Sequence, residues 1–167
     1  MSRVTLIQHI NIQVSDREKT RKFYEDVLGA EFLDRGPELN ARQLQLRIGN
    51  GEIHTTDSRN PTPVPSAHFA VEINDWDELL ENLERLGVPY TTTPGRRNET
   101  ENSWGRRDYS NGCYTYVHDP DGNMIELVQH PMGIEDASGK EIELTHYDES
   151  PQWRRHPQYN SVPVQAD

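Results

Sequence analysis

The chain has 167 residues, with 28 acidic against 17 basic side chains and a net charge of −11. An acidic surface does not attract nucleic acid or anionic membranes; no apolar run reaches the roughly 18 residues of a membrane span, and the start lacks the basic and apolar regions of a signal peptide. The single cysteine, Cys113, excludes an internal disulfide and suits a reducing compartment, so the expectation is a cytoplasmic protein directed at small molecules.

The first strand is expected in "HINIQVSD" (His9–Asp16), where Ile10, Ile12 and Val14 alternate with His9, Asn11 and Gln13. Ser15 with Glu18 has the spacing of a capping box and predicts a helix that turns Phe23, Val27 and Leu28 inward and stops at Gly29. Strand-like segments follow at Arg42–Ile48 and Glu52–Thr56. Pro61, Pro63 and Pro65 then mark an extended connection. "HFAVEIND" (His68–Asp75) repeats the first strand's pattern 59 residues further on. Asp75 with Glu78 starts a second helix that buries Trp76, Leu79, Leu80, Leu83 and Leu86 and stops at Gly87.

Residues 92–112 show no periodicity, are too long for an ordinary hairpin connection, and carry Arg96, Arg97, Arg106 and Arg107. They read either as a solvated loop balanced by Glu99, Glu101 and Asp108, or as a lid whose guanidinium groups bind a carboxylate or phosphonate. Asp119-Pro120-Asp121-Gly122 is a turn sequence that joins strands at Tyr114–Val117 and Met124–Val128. From Met132 the chain is charged and irregular, with "GKEIEL" its one strand-like piece. There Trp153, Arg154, Arg155 and Tyr159 suggest either docking across a site mouth or disorder.

The repeat divides the chain into β-α-β-β-β modules at 1–58 and 66–131, with a linker at 59–65 and an extension at 132–167. Aligning "GNGEIHTT" with "PDGNMIEL" sets His54 against Glu126, 72 residues apart. Four potential ligands thus take equivalent places: His9 and His68 on first strands, His54 and Glu126 on last strands. The helices cover the apolar faces, so His9, His68 and Glu126 turn away from them. In an α+β fold whose two modules form a cupped mixed sheet, a partial barrel with helices outside, those residues meet inside. Imidazoles and a carboxylate gathered in a cavity make a divalent-metal site. A lone strand histidine is more often merely hydrogen-bonded or half-exposed; two in symmetric places with Glu126 argue for ligation. His54 stays open between ligand, partner of a ligand and surface residue. His118, His130, His146 and His156 have no repeat partners and read as surface residues.

"HINIQVSDREKTRKFYEDVLGAEF", "HFAVEINDWDELLENLERLGV" and "DPDGNMIEL" together resemble the vicinal oxygen chelate superfamily, which includes glyoxalase I, extradiol ring-cleaving dioxygenases and the fosfomycin- and bleomycin-resistance proteins. The resemblance implies paired βαβββ modules and a divalent metal held by His9, His68 and Glu126. It leaves the fourth position to His54, which is usually Glu in glyoxalase I and is not a ligand in the extradiol enzymes. "GRRDYSNGCYTYVHDPDGNMIEL" is most similar to the last stretch of the extradiol enzymes, with Gly105, Arg106, Ser110, Asn111, Tyr114, Tyr116 and Glu126 at matching spacing. This implies catalytic roles for Tyr116, Arg107 and Glu126, and substrate contacts from Arg106, Ser110 and Asn111. Arg107 stands where those dioxygenases place a catalytic histidine. An arginine stays protonated and cannot shuttle a proton as that residue does.

The expected function is a metal-dependent enzyme acting on a small bidentate oxygen substrate, with a non-haem Fe(II) dioxygenase of extradiol type as the leading reading. The alternatives are a glyoxalase I-like lyase or isomerase, or a thiol transferase, with Ni(II), Zn(II) or Mn(II), and a ligand-sequestering protein without turnover. Open module edges predict a homodimer.

Overall fold

Strand β1 (His9–Val14), helix α1 (Arg17–Leu28), strand β2 (Glu31–Phe32), the one-turn helix α2 (Pro37–Asn40) and strands β3 (Gln45–Ile48) and β4 (Gly51–Asp57) follow one another in the first half of the chain. Among the described residues the second half repeats the order without a counterpart of α2, as β5 (His68–Glu72), α3 (Trp76–Leu86), β6 (Gly105–Arg106), β7 (Cys113–His118) and β8 (Met124–Gln129). The structure, a computed structural model, describes residues 8–49, 51–93, 101–107 and 112–129, and the backbone of two short strands, β9 (Ile134–Glu135) and β10 (Glu141–Ile142). β10 lies within the "GKEIEL" stretch and pairs antiparallel with β9.

Each half builds its own four-stranded mixed sheet, ordered β1-β4-β3-β2 and β5-β8-β7-β6. The sheets are open, and in each the first strand is an edge that runs parallel to the last. Register carries the repeat into space. His9 pairs with Glu52 and Asn11 with His54; His68 pairs with Met124 and Ala70 with Glu126. His54 and Glu126 therefore occupy the same place in their sheets.

Both helices start and stop where the sequence directs, with one correction. Asp75 accepts from Glu78 N–H as expected, but Asp16 rather than Ser15 caps α1, accepting from the N–H groups of Glu18 and Lys19. Ser15 instead donates its backbone N–H and hydroxyl to Asp121 in the other half, at 2.9 and 2.5 Å. Gly29 and Gly87 close the helices with φ of 65° each, a left-handed conformation that glycine adopts without the Cβ clash.

Alternation along the strands sends Ile12, Val14, Leu46, Ile53, Val117, Ile125 and Leu127 into one core with Val27, Trp76, Leu79 and Leu83 of the helices. Each such side chain, fully buried, contributes about 1.5–3 kcal/mol. Tyr24, wholly buried, joins them, whereas Phe23 and Leu28 are only partly covered. The helices α1 and α3 pack on each other, and Asn82 donates to the Asp26 carbonyl at 2.8 Å. Among the described residues no helix is long and apolar enough to cross a membrane.

Candidate metal centre

Strand parity separates two faces in each sheet. In the second sheet Phe69, Val71, Ile125, Leu127 and Val117 face the helix, so His68, Ala70, Glu126, Tyr114 and Tyr116 face away. Cross-strand pairing places Tyr116 directly beside Glu126. His68 Nε2 lies 3.1 Å from Glu126 Oε2, and Arg107 holds Glu126 through the other oxygen, Oε1. The Glu126 side chain is only 10% exposed, so its charge depends on these partners. The guanidinium of Arg107 also lies over the Tyr114 ring, 4.4 Å from its centroid. Tyr114 packs closely because residue 105 is glycine: a Cβ there would sit 3.1 Å from Tyr114 Cε1.

The Tyr116 phenol is 5.6 Å from the His68 ring, centroid to centroid. Burial and then the Glu126 charge push its pKa above the ordinary value, although Arg107 partly offsets this. The hydroxyl thus remains a proton donor at neutral pH.

In the first sheet His9 and His54 stack face to face, with ring centroids 4.0 Å apart and planes 11° from parallel. His9 Nδ1 meets Gln8 Oε1 at 2.5 Å, and His54 Nε2 meets Glu52 Oε2 at 2.8 Å. The His54 hydrogen bond is the main reason that the Glu52 pKa lies below its ordinary value, with a further contribution from Gln8.

All three histidines therefore commit one ring nitrogen to an oxygen acceptor, since His68 Nδ1 donates to the Ser66 carbonyl at 3.0 Å. Metal-binding histidines do the same, because that bond fixes the tautomer and aims the other nitrogen. For His68 the nitrogen left over is Nε2, which faces a carboxylate oxygen. At 3.1 Å a proton on Nε2 closes this contact as a hydrogen bond, and a metal ion takes the proton's place when the imidazole is neutral. Two donors about 2.1 Å from one ion and at the right angles of an octahedral site lie about 3 Å apart, so this pair's spacing fits an octahedral divalent ion. Ser66 has φ of 64° and is the one positive-φ residue other than glycine among those described. Its strained backbone turns the carbonyl toward His68.

The third expected donor, His9, is not grouped with this pair among the described residues. Among the described residues no three His, Cys, Asp or Glu side chains are grouped so as to hold an ion. His9 belongs to the first sheet, His68 and Glu126 to the second. Between the edge strands β1 and β5 runs a cleft of about 340 Å³, lined by Ile10, Ile12, Val64, Phe69 and Met124 with His68 at its wall.

Other expected residues are distributed as follows. Arg106 pairs across from Cys113 on the helix side of its sheet, and its guanidinium lies 5.6 Å from the Trp104 ring centroid, away from the Glu126 face. Ser110 and Asn111 lie outside the described residues. Glu52, Gln8 and Ser66 are the partners that sequence reading missed. Glu52 was legible, since it stands two residues before His54 on a strand and shares its face. The Ser66 contact, made by backbone, leaves no such signal.

The sequence profile described as Glyoxalase/Bleomycin resistance protein/Dioxygenase superfamily matches residues 6–127. The chain belongs to that superfamily. Among curated members, a lactoylglutathione lyase of Neisseria meningitidis is 27% identical over 135 residues, covering 75% of this chain and 91% of that one. The metallothiol transferase FosB of Lysinibacillus sphaericus is 29% identical over 131 residues, covering 74% and 82%. A glyoxalase-family structure from Bacillus anthracis superposes with a TM-score of 0.62 at 25% identity, over 78% of this chain and 98% of that one. The fosfomycin resistance protein FosX of Listeria monocytogenes shares the fold, with a TM-score of 0.58 at 21% identity over 75% and 93%. Superfamily members are mostly enzymes that act on small molecules with divalent metals.

Proposed function

We propose that the protein is a cytoplasmic divalent-metal enzyme in which His9, His68 and Glu126 supply the donors and a small bidentate oxygen compound is the substrate. The observation that carries this reading is the His68–Glu126 pair, with Nε2 and Oε2 3.1 Å apart and both residues' other polar atoms already engaged. In this reading the centre is assembled in a homodimer, with His9 of one copy meeting His68 and Glu126 of the second; the placement of His9 on the other sheet, apart from that pair among the described residues, supports it. When bound, the ion supplies Lewis-acid activation of the substrate oxygens and, as Fe(II), access to O₂.

The chain's own residues do the rest. Two neutral imidazoles and one carboxylate leave a divalent site with net positive charge, which favours an anionic oxygen chelate such as a catecholate, hydroxy acid or enediolate. Tyr116, held protonated, donates a hydrogen bond to the reacting oxygen. Arg107 fixes the Glu126 carboxylate by one oxygen and leaves the second toward His68.

The leading reading of the chemistry is an Fe(II)-dependent oxygenase of extradiol type, because two imidazoles and one carboxylate form the facial donor set of that class. A second reading, a lyase or thiol transferase with Ni(II), Zn(II) or Mn(II), is favoured by the relatives, whose names are lactoylglutathione lyase and metallothiol transferase. It is also favoured by Arg107, which cannot take the place of a proton-shuttling histidine. An oxygen electrode separates the two. O₂ uptake by the Fe(II)-loaded protein with a catechol or hydroxy acid is the expected result; anaerobic turnover of a glutathione hemithioacetal with Ni(II) or Zn(II), and no uptake, would replace it with the lyase.

A further inference from the structure

We propose that His54 is not a metal donor but the residue that positions His9, and that Glu52 anchors both rings; this rests on the metal centre proposed above. The lone pair of an imidazole nitrogen lies in the plane of its ring. The His9 and His54 planes are 11° from parallel with centroids 4.0 Å apart. Stacked planes share no in-plane point close to both rings, so a single ion cannot take a lone pair from each. Nor do His9, His54 and Glu52 themselves form an ion-holding group.

What the arrangement does is fix His9. Its ring stands on an edge strand, for among the described residues β1 pairs with β4 alone. An exposed imidazole there would sample several rotamers. The His54 ring covers one face of it, and Gln8 takes its Nδ1–H at 2.5 Å. Both restraints lead to Glu52. Its carboxylate accepts His54 Nε2–H at 2.8 Å, and it is also hydrogen-bonded by Gln8. An ionised carboxylate only accepts, so the Nε2 proton of His54 is committed to it. The His54 and Glu52 side chains are 16% and 26% exposed, which limits competition from water. With its Nδ1 engaged and its plane set, His9 keeps Nε2 as its donor atom.

The test is Zn²⁺ affinity by chelator competition, together with the Co²⁺ absorption spectrum, on the full chain. His54→Phe keeps a flat ring on His9 but has no nitrogen. It is expected to bind Zn²⁺ close to wild type with an unchanged Co²⁺ spectrum, while His54→Ala weakens binding about 10–100-fold, as does Glu52→Ala. If His54→Phe lost as much as His54→Ala and shifted the Co²⁺ bands, His54 would be a donor and the proposal would be overturned. Wild-type affinity in His54→Ala would overturn it equally, since the stack would then do nothing. Full Zn²⁺ binding in His9→Ala, His68→Ala and Glu126→Ala alike would instead remove the metal centre on which it rests.

Discussion

Tyr24 of α1 donates its hydroxyl to Asp119 of the β7–β8 turn at 3.2 Å, with both side chains buried. Asp119 in turn accepts the N–H groups of Asp121 and Asn123 and the Asn123 side chain, so its carboxylate organises the turn before Glu126. Tyr24→Phe is expected to cost about 1–2 kcal/mol, the value of a buried hydrogen bond whose acceptor keeps other donors. Urea unfolding measures it; no loss would mean that the contact does not join the halves.

Burial raises the Asp119 pKa above its ordinary value despite those donors. A carboxylate with a raised native pKa favours the fold below its unfolded value, and that contribution is lost as pH rises through the native value. Unfolding free energies of wild type and Asp119→Asn, compared from neutral pH down to about pH 4, should therefore move in favour of wild type. A difference independent of pH would contradict a strained carboxylate there.

In the proposed centre Arg107 and the bound ion both neutralise Glu126. Arg107→Met is expected to destabilise the metal-free protein by about 1–3 kcal/mol, because a nearly buried carboxylate loses a charged partner. In saturating Zn²⁺ the loss should shrink. Thermal unfolding with and without Zn²⁺ tests this, and equal losses in both would place the ion elsewhere.

Tyr116→Phe is expected to lower turnover about 10²–10³-fold with little change in substrate affinity, since in the proposed mechanism the hydroxyl acts on charge that develops during reaction. In wild type the phenolate absorbance of Tyr116 should emerge at higher pH than that of an ordinary tyrosine, in keeping with its raised pKa. Steady-state kinetics decides the first point; a change confined to substrate affinity would make Tyr116 a binding residue only.

The repeat and the strand parity made the fold legible. "HINIQVSD" and "HFAVEIND" alternate so cleanly that the burial of Ile12 and Val14 and the outward turn of His9 and His68 follow from spacing alone. The matched registers of His54 and Glu126 were likewise implied by the hairpin ends. What could not be read was which neighbours each side chain would choose. Asp16 outcompeted Ser15 for the helix end because Ser15 reaches Asp121, 106 residues away. Arg106 and Arg107 are both expected at the site, yet the side chains of successive residues in extended chain point to opposite faces, so Arg106 lies near Trp104 and Arg107 holds Glu126. The stacking of His9 on His54 depends on cross-strand placement, which composition does not encode.

The proposed sharing of the site between two copies makes a sharp prediction for mixed chains. His9→Ala and Glu126→Ala protein, each unable to bind the ion alone, should recover one ion per mixed dimer when unfolded and refolded together. Only one of the two centres in such a dimer has all its donors. Failure to recover any metal, with mixed dimers present by native mass spectrometry, would place the centre within a single chain.

The most direct measurement is the metal content, by elemental analysis, of protein loaded with a divalent ion and freed of excess. About one ion per chain is predicted for wild type, and none for the variant in which His9, His68 and Glu126 are all alanine, because a three-donor site does not survive loss of its donors. Stoichiometric metal in that triple variant would contradict the account.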